Sequence, residues 1–327
     1  MDRKLDELLY ALMQNMMIAV SGEKLARDLN VSHSTLTRWI EKLRQAGIEI
    51  HGELFTGYRL IRLPDVLLPQ LIRSRLHTNE IGKILYHFYI VDSTNAFASR
   101  LLQHGRKVPE GTVVIAESQT AGRGRLGRSW YSEREAGIYL SLVLYPKAPP
   151  SLAPLLTLAT TIAAHNAVER ATQLDVDIKW PNDLLISGKK VSGILAEMQA
   201  EVDRIKTMII GIGINVNHDV FPGDIADRAT SLRLASGRIQ SRIEILVAFL
   251  EEFESVYLAF ERKGARAIID EWTRLSSFAN GRKIEIHDGV RRISGVTRGL
   301  NPLGVLRVEQ QDGRTEEIYT GDVVNWE

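Results

Sequence analysis

Cysteine is absent from all 327 residues, so disulfides, thiolate metal sites and any route through a cysteinyl thioester are excluded. Neither sign of charge dominates: 41 Lys and Arg stand against 40 Asp and Glu, a net charge of +1. No overall field therefore recommends nucleic acid or a membrane surface as a partner, and any DNA binding must be local. No run of 18 apolar residues and no charged-then-apolar leader occurs. Neither a membrane span nor a secretory signal is expected, and the cytoplasm is the expected location. The eight histidines lack His-x-x-x-His spacing, His218 beside Asp219 reads as a polar loop pair, and no structural metal is expected. Aromatics are scarce at 7%, whereas the 44% hydrophobic content suits a soluble globular chain of two or three domains.

The first territory, residues 1–63, is helical and then β-like. Leu5, Leu8, Leu9, Leu12, Met13, Met16 and Met17 fall at helical spacing on one broad face. A second helix starts at a Ser21 cap and ends near Asn30; a third starts at Ser32 and buries Leu36, Ile40 and Leu43 up to Gly47. Two short helices joined by so brief a turn make a helix-turn-helix, and the alternating residues from Ile48 to Ile61 add a hairpin wing. Ser32, His33, Ser34, Thr35, Thr37, Arg38 and Lys42 are the candidates to touch DNA bases and phosphates. Residues 1–62 carry nine basic against eight acidic side chains, so this reading rests on shape, and dimerisation is the natural remedy for weak binding by one module.

Residues 64–82, with Pro64 and Pro69, read as a linker. Residues 83–275 mix strand-like runs (84–91, 112–116, 138–145, 176–180, 191–198, 207–216) with helical patterns at 152–172 and 242–262. They predict an α/β domain on a mixed or antiparallel sheet. Residues 276–327 hold short strands punctuated by Asp288-Gly289 and Asp312-Gly313, which predicts a small barrel of SH3-like size. The chain is thus an α+β multidomain protein.

Residues 117–130 alternate Gly122, Gly124 and Gly127 with Arg123, Arg125 and Arg128, glycines that let backbone approach a ligand and forked donors suited to carboxylate or phosphate. Gly122 to Ser129 satisfies P-loop spacing with Arg128 in place of lysine. A β-like run follows instead of a helix, so the loop bridges two strands and is not a P-loop. A solvated Arg/Gly surface loop is the alternative.

Lys179-Trp-Pro-Asn-Asp183 ends a strand in a turn that delivers an ammonium, an aromatic ring and a carboxylate together. The chain then doubles back so that Lys190 faces the cleft of Asp183, Lys189 and Lys190 being otherwise solvated turn lysines. Gly211-Ile-Gly-Ile-Asn215 ends a strand where Asn215 offers an amide to a ligand. Ser93-Thr94-Asn95 reads first as a helix cap.

Taken in order, Ser93-Thr-Asn95, Gln119 with Gly122-Arg-Gly-Arg-Leu-Gly-Arg128, Lys179-Trp-Pro-Asn-Asp183, Lys190-Val-Ser-Gly193 and Gly211-Ile-Gly-Ile-Asn215 resemble the bifunctional biotin protein ligases and biotin operon repressors of bacteria. The resemblance covers essentially the whole chain. Lipoate ligases and octanoyl transferases look like relatives in fold but lack the Gly-Arg-Gly-Arg loop and the Trp-Pro-Asn-Asp block in this form, and the transferases rely on cysteine.

The resemblance implies that biotin and ATP, with Mg²⁺, form biotinyl-5′-AMP, and that biotin then passes to a lysine of a biotin carboxyl carrier protein domain. It implies a biotin site of Ser93, Thr94, Asn95, Gln119, Arg123, Gly124, Arg125 and Lys190. Gly122, Arg128, Lys179, Asn182 and Asn215 are implied at the nucleotide, and Arg125, Lys190 and Asp183 in catalysis. Residues 218–230 are expected to form a mobile loop over the adenylate. A homodimer promoted by the adenylate, bound to operator DNA of biotin genes, is the expected regulatory form.

Overall fold

A computed structural model describes residues 3–45, 47–103 and 107–326. Backbone contacts divide the chain between His77 and Thr78 into two compact units.

The first unit opens with α1 (Arg3–Gln14), α2 (Gly22–Asp28) and α3 (His33–Gln45). Leu5, Leu8, Leu9 and Leu12 of α1 are buried, but the helix stops at Gln14. Met16 and Met17 therefore leave its apolar face and are 45% and 59% exposed. Ser21 Oγ accepts the Lys24 amide at 3.4 Å and Ser32 Oγ accepts that of Thr35 at 3.2 Å, so each short helix has an N-cap. Asn30 makes the turn between them with φ 49°. Leu36, Trp39, Ile40 and Leu43 point α3 inward. Ser32, His33, Ser34, Thr37, Arg38 and Lys42 are exposed and Thr35 is half-buried.

The wing is an antiparallel hairpin of β1 (Glu49–Glu53) and β2 (Gly57–Arg62). Residues 64–77, assigned to a linker by sequence, belong to this unit. Leu67, Leu68, Leu71 and Ile72 are buried, and α4 (Pro69–Arg73) packs on α1, with Arg73 Nε 2.7 Å from Asp6 Oδ2.

The second unit is built on a seven-stranded sheet in the order β3-β4-β5-β9-β8-β7-β6. The strands are β3 (Leu85–Phe88), β4 (Thr112–Ala116), β5 (Gly137–Leu144), β6 (Asp177–Lys179), β7 (Asp183–Ile186), β8 (Lys189–Ala200) and β9 (Ile205–Asn215). Only β3 and β4 run parallel, which makes the sheet mixed. On one face α5 (Thr94–Gln103) buries Ala98 with Val114, Val143 and Ile209. On the other lie α6 (Ala153–Thr172) and α8 (Arg242–Lys263), with the short α7 (Leu232–Ser236) before α8 and α9 (Ala265–Leu275) after it. By length and composition 150–172 is long and apolar enough to cross a membrane; 67% of its most apolar window is buried inside the protein, as a core helix requires.

The C-terminal strands β10 (Asn280–His287), β11 (Arg292–Leu300), β12 (Leu306–Glu309), β13 (Thr315–Ile318) and β14 (Asp322–Trp326) form an antiparallel sheet in the order β13-β12-β11-β10-β14. This is consistent with an SH3-like module. It is joined to the larger sheet by Lys179 of β6, whose Nζ donates to Val323 O of β14 at 3.2 Å.

Candidate active site

The Arg/Gly segment leaves β4 and returns on the neighbouring antiparallel strand β5, so it hangs from the ends of two inner strands. Within it the chain folds into a small ribbon. Trp130 N donates to Gly122 O at 2.9 Å, Gly124 N donates to Arg128 O at 2.7 Å, and Arg125–Gly127 form the turn. A Cβ on Gly122 would stand 2.5 Å from Trp130 O, so the ribbon closes only with glycine there. The Gly124 amide is taken up by this ribbon.

Each of the three guanidinium groups meets a carboxylate. Arg123 Nη2 lies 3.1 Å from Glu197 Oε2, while Arg125 Nη1 lies 3.1 Å from Asp322 Oδ1 and 2.9 Å from Asn182 Oδ1. Arg128 Nη1 is 2.7 Å from Asp322 Oδ2. Asp322, on β14, thus binds the loop to the C-terminal sheet.

Ser93 accepts the Ala96 amide at 3.5 Å, which gives it the capping role and leaves Thr94 and Asn95 in the first turn of α5. The Thr94 amide and hydroxyl both donate to Gln119 Oε1, at 2.9 and 3.2 Å, and Gln119 Nε2 donates to Ser132 Oγ at 2.9 Å. Asn95 Nδ2 donates to Glu197 Oε2 at 2.7 Å, and its Oδ1 accepts from Ser141. Ser93, Thr94, Asn95 and Ser141 are all buried, so this end of the site is an array of neutral donors and acceptors, bounded by the Arg123–Glu197 pair.

The β6–β7 turn contains a cis Trp180–Pro181 bond and brings Lys179, Asn182 and Asp183 together. Lys190 Nζ pairs with Asp183 Oδ1 at 2.6 Å, across a register shift between β7 and β8, and lies 5.4 Å above the Trp130 ring. Lys189 is exposed. Lys179 Nζ sits 3.7 Å from Asp183, donates to Val323 O at 3.2 Å and covers the Trp326 ring at 4.8 Å. Burial pushes the Lys179 ammonium below its usual range against the pull of Asp183. Trp180 itself is core.

One cavity of about 100 Å³ gathers these groups. Ser93, Thr94, Asn95, Gln119, Arg123, Gly124, Arg125, Arg128, Asn182, Asp183 and Lys190 line it. Gly122, Lys179 and Asn215 do not. Gly122 is closed under Trp130, Lys179 turns toward Trp326, and Asn215 Nδ2 donates to Thr230 O at 3.1 Å. That bond, with Lys190 N donating to Arg228 O at 2.8 Å, ties residues 218–230 to the site. Trp130, Asp322, Gly193, Gly211 and Gly213 also line the cavity without having been assigned to it. The glycines form a cradle: a Cβ on Gly213 would stand 2.2 Å from the Trp130 ring, and one on Gly211 2.2 Å from Asn95 Oδ1. A second cavity of about 320 Å³ adjoins the first through Arg125, Asn182 and Ile194 and is walled by Trp180, Met198 and Tyr319.

Residues 87–215 match the Biotin/lipoate A/B protein ligase family, and residues 4–59 match an HTH domain. The chain is 40% identical over 310 residues to the bifunctional ligase/repressor BirA of Bacillus spizizenii, covering 93% of each. It is 28% identical over 303 residues to that of Escherichia coli, covering 93% of this chain and 92% of the other. The biotin protein ligase of Aquifex aeolicus, solved in complex with biotin and ATP, superposes with a TM-score of 0.64 at 33% identity, over 75% of this chain and 99% of that one.

Proposed function

The chain belongs to the bifunctional ligase/repressor group of the Biotin/lipoate A/B protein ligase family, and on that premise we propose that it activates biotin with ATP and biotinylates a carrier protein. The observation that carries the reading is the convergence of Arg125, Arg128, Lys190 and Asp183 on a cavity whose other end is the neutral array of Thr94, Asn95 and Gln119. The neutral end suits a ureido ring, which needs both donors and acceptors. The charged end suits a carboxylate and an α-phosphate, two anions that react only where fixed cations offset their repulsion.

In the first step a carboxylate oxygen of biotin attacks the α-phosphorus, the bond to the β-phosphate oxygen breaks, and pyrophosphate leaves. Arg125 and Lys190 hold the phosphoryl and carboxylate oxygens, and Arg123 joins them at the biotin end. Gly122, Arg128, Lys179, Asn182 and Asn215 serve the nucleotide side, Gly122, Lys179 and Asn215 from behind the lining. Among the described residues no three acidic or histidine side chains group as a metal cage. A Mg²⁺ ion entering with ATP would be held chiefly by phosphate and water, with Asp183 the carboxylate that would meet it. In the second step the carrier lysine attacks the acyl carbon, an amide forms and AMP leaves. Asp183 takes up or orients the amine proton, and the second cavity is the route we assign to that lysine.

The first unit exposes Ser32 at the start of the third helix and His33, Ser34, Thr37, Arg38 and Lys42 on it. A homodimer promoted by the adenylate binds operator DNA through them. A ligase whose winged helix no longer meets DNA is the second reading, favoured by the near balance of nine basic and eight acidic side chains in residues 1–62.

The test is incubation with ATP, Mg²⁺, biotin and a biotin carboxyl carrier domain, read with streptavidin, with lipoate and octanoate in parallel. Biotin on the carrier lysine is the expected result. Transfer of lipoate or octanoate in its place overturns it. Retardation of biotin-operon DNA only when biotin and ATP are present separates the repressor from the second reading.

A further inference from the structure

Two segments meet at the site: residues 117–136 between β4 and β5 line the cavity, and residues 216–241 between β9 and α8 lie behind it, bonded to the backbone of the lining residue Lys190. Each is closed at its own neck. Glu135 N donates to Glu117 O at 3.1 Å, while Asn217 and Gln240 exchange two bonds of 2.9 Å.

The two necks are also fused to each other. Asn217 N donates to Ala136 O at 2.6 Å. Arg242, the first residue of α8, is completely buried and donates through Nη1 to Glu117 Oε2 at 2.8 Å and to Gly137 O at 3.1 Å. His87 Nε2 lies 3.1 Å from the other oxygen of Glu117. Tyr139 Oη donates to Glu133 O at 2.9 Å and, having only one proton, accepts from His218 Nε2 at 3.1 Å. Tyr131 of the first segment and Phe221 of the second pack on the His218 ring from 5.8 and 5.2 Å.

A wholly buried ion pair is a weak source of stability because desolvation offsets the attraction; what it supplies is a fixed geometry. We infer that Glu117, Arg242, Tyr139 and His218 are positioning residues that lock the feet of both segments together, so that the lining segment and the segment behind Lys190 keep one shared geometry. The Arg/Gly ribbon and the 216–241 loop then loosen or tighten as a pair. The linkage is indirect in its chemistry: none of the four lines the cavity among the described residues.

Hydrogen–deuterium exchange on the full chain tests this with Tyr139→Phe, which removes one hydroxyl and keeps the ring, and with Arg242→Lys, which keeps the charge and loses the fork. Each variant is expected to raise exchange at least about threefold in both segments and leave α6 unchanged. The kinetic companion rests on the ligase reading: KM for biotin and KM for ATP are expected to rise together, with kcat changed less. The exchange result needs neither substrate, so a wrong substrate assignment and a wrong linkage fail separately. Loosening of one segment alone, loosening that spreads into α6, or no change in either segment overturns the linkage.

Discussion

Gly211 illustrates how a single atom shapes this site. Its Cβ position lies 2.2 Å from the Asn95 amide oxygen, and Asn95 in turn is held by Ser141 and Glu197. Gly211→Ala must displace Asn95, an overpacking change that typically costs about 1–3 kcal/mol. The expected outcome is a biotin KM raised roughly tenfold, since about 1.4 kcal/mol of lost contact is tenfold in affinity, with the ATP KM little altered; steady-state pyrophosphate release checks it. His218 offers a pH test. Burial, with the Arg242 charge second, lowers its pKa from 6.5 to about 4. The folded protein therefore binds fewer protons than the unfolded chain between those values, and stability falls as pH drops from about 6.5 toward 4. Thermal melts should show that slope over pH 6.5 to 5 in the native protein and a shallower one in His218→Phe. Part of the cavity lining was legible because its residues fall in compact motifs: the Arg/Gly run supplies Arg123, Gly124, Arg125 and Arg128, and Lys179 to Asp183 supplies Asn182 and Asp183. Asp322 was not legible, since it pairs with Arg125 from 197 residues away and nothing around it in sequence marks it.

Elements were readable where burial is one-sided or complete. Residues 112–116 are buried throughout, and α3 shows its inward stripe in the spacing of Leu36, Ile40 and Leu43. Reading failed where tertiary packing overrode local punctuation. Pro64 and Pro69 suggested a linker, yet Pro69 starts α4, whose Leu71 and Ile72 are buried. The pattern read at 242–262 is α8, but no helix was read beyond it, where Gly264 at φ 71° separates α8 from α9. The wing depends on one such tertiary contact. Arg44, near the end of α3, donates to Ile50 O at 2.9 Å and to Gly52 O at 2.7 Å, holding β1 against the third helix. Arg44→Ala removes both bonds, each worth about 0.5–1.5 kcal/mol. Operator affinity, measured by fluorescence anisotropy, is expected to drop several-fold while carrier biotinylation stays at the native rate, because Arg44 belongs to the first unit alone.

At the scale of the whole molecule, the cavity draws every wall from one side of the boundary at His77. Its lining runs from Ser93 to Asp322, and the C-terminal strand β14 contributes Asp322 to it while Val323 and Trp326 hold Lys179 behind it. Among the described residues, the C-terminal sheet thus belongs with the cavity, and all of the lining lies within the second unit. Residues 78–327 expressed alone should therefore biotinylate the carrier with a kcat within about threefold of the full chain, a difference of roughly 0.6 kcal/mol in the barrier. A second fragment ending before β10 should lose adenylate formation, because Arg125 and Arg128 lose Asp322 and Lys179 loses its acceptor. Retained pyrophosphate exchange in that shorter fragment would show that the arginines need no support from β14. Loss of exchange in residues 78–327, with a cooperative melt preserved, would show that the first unit acts on the chemistry after all.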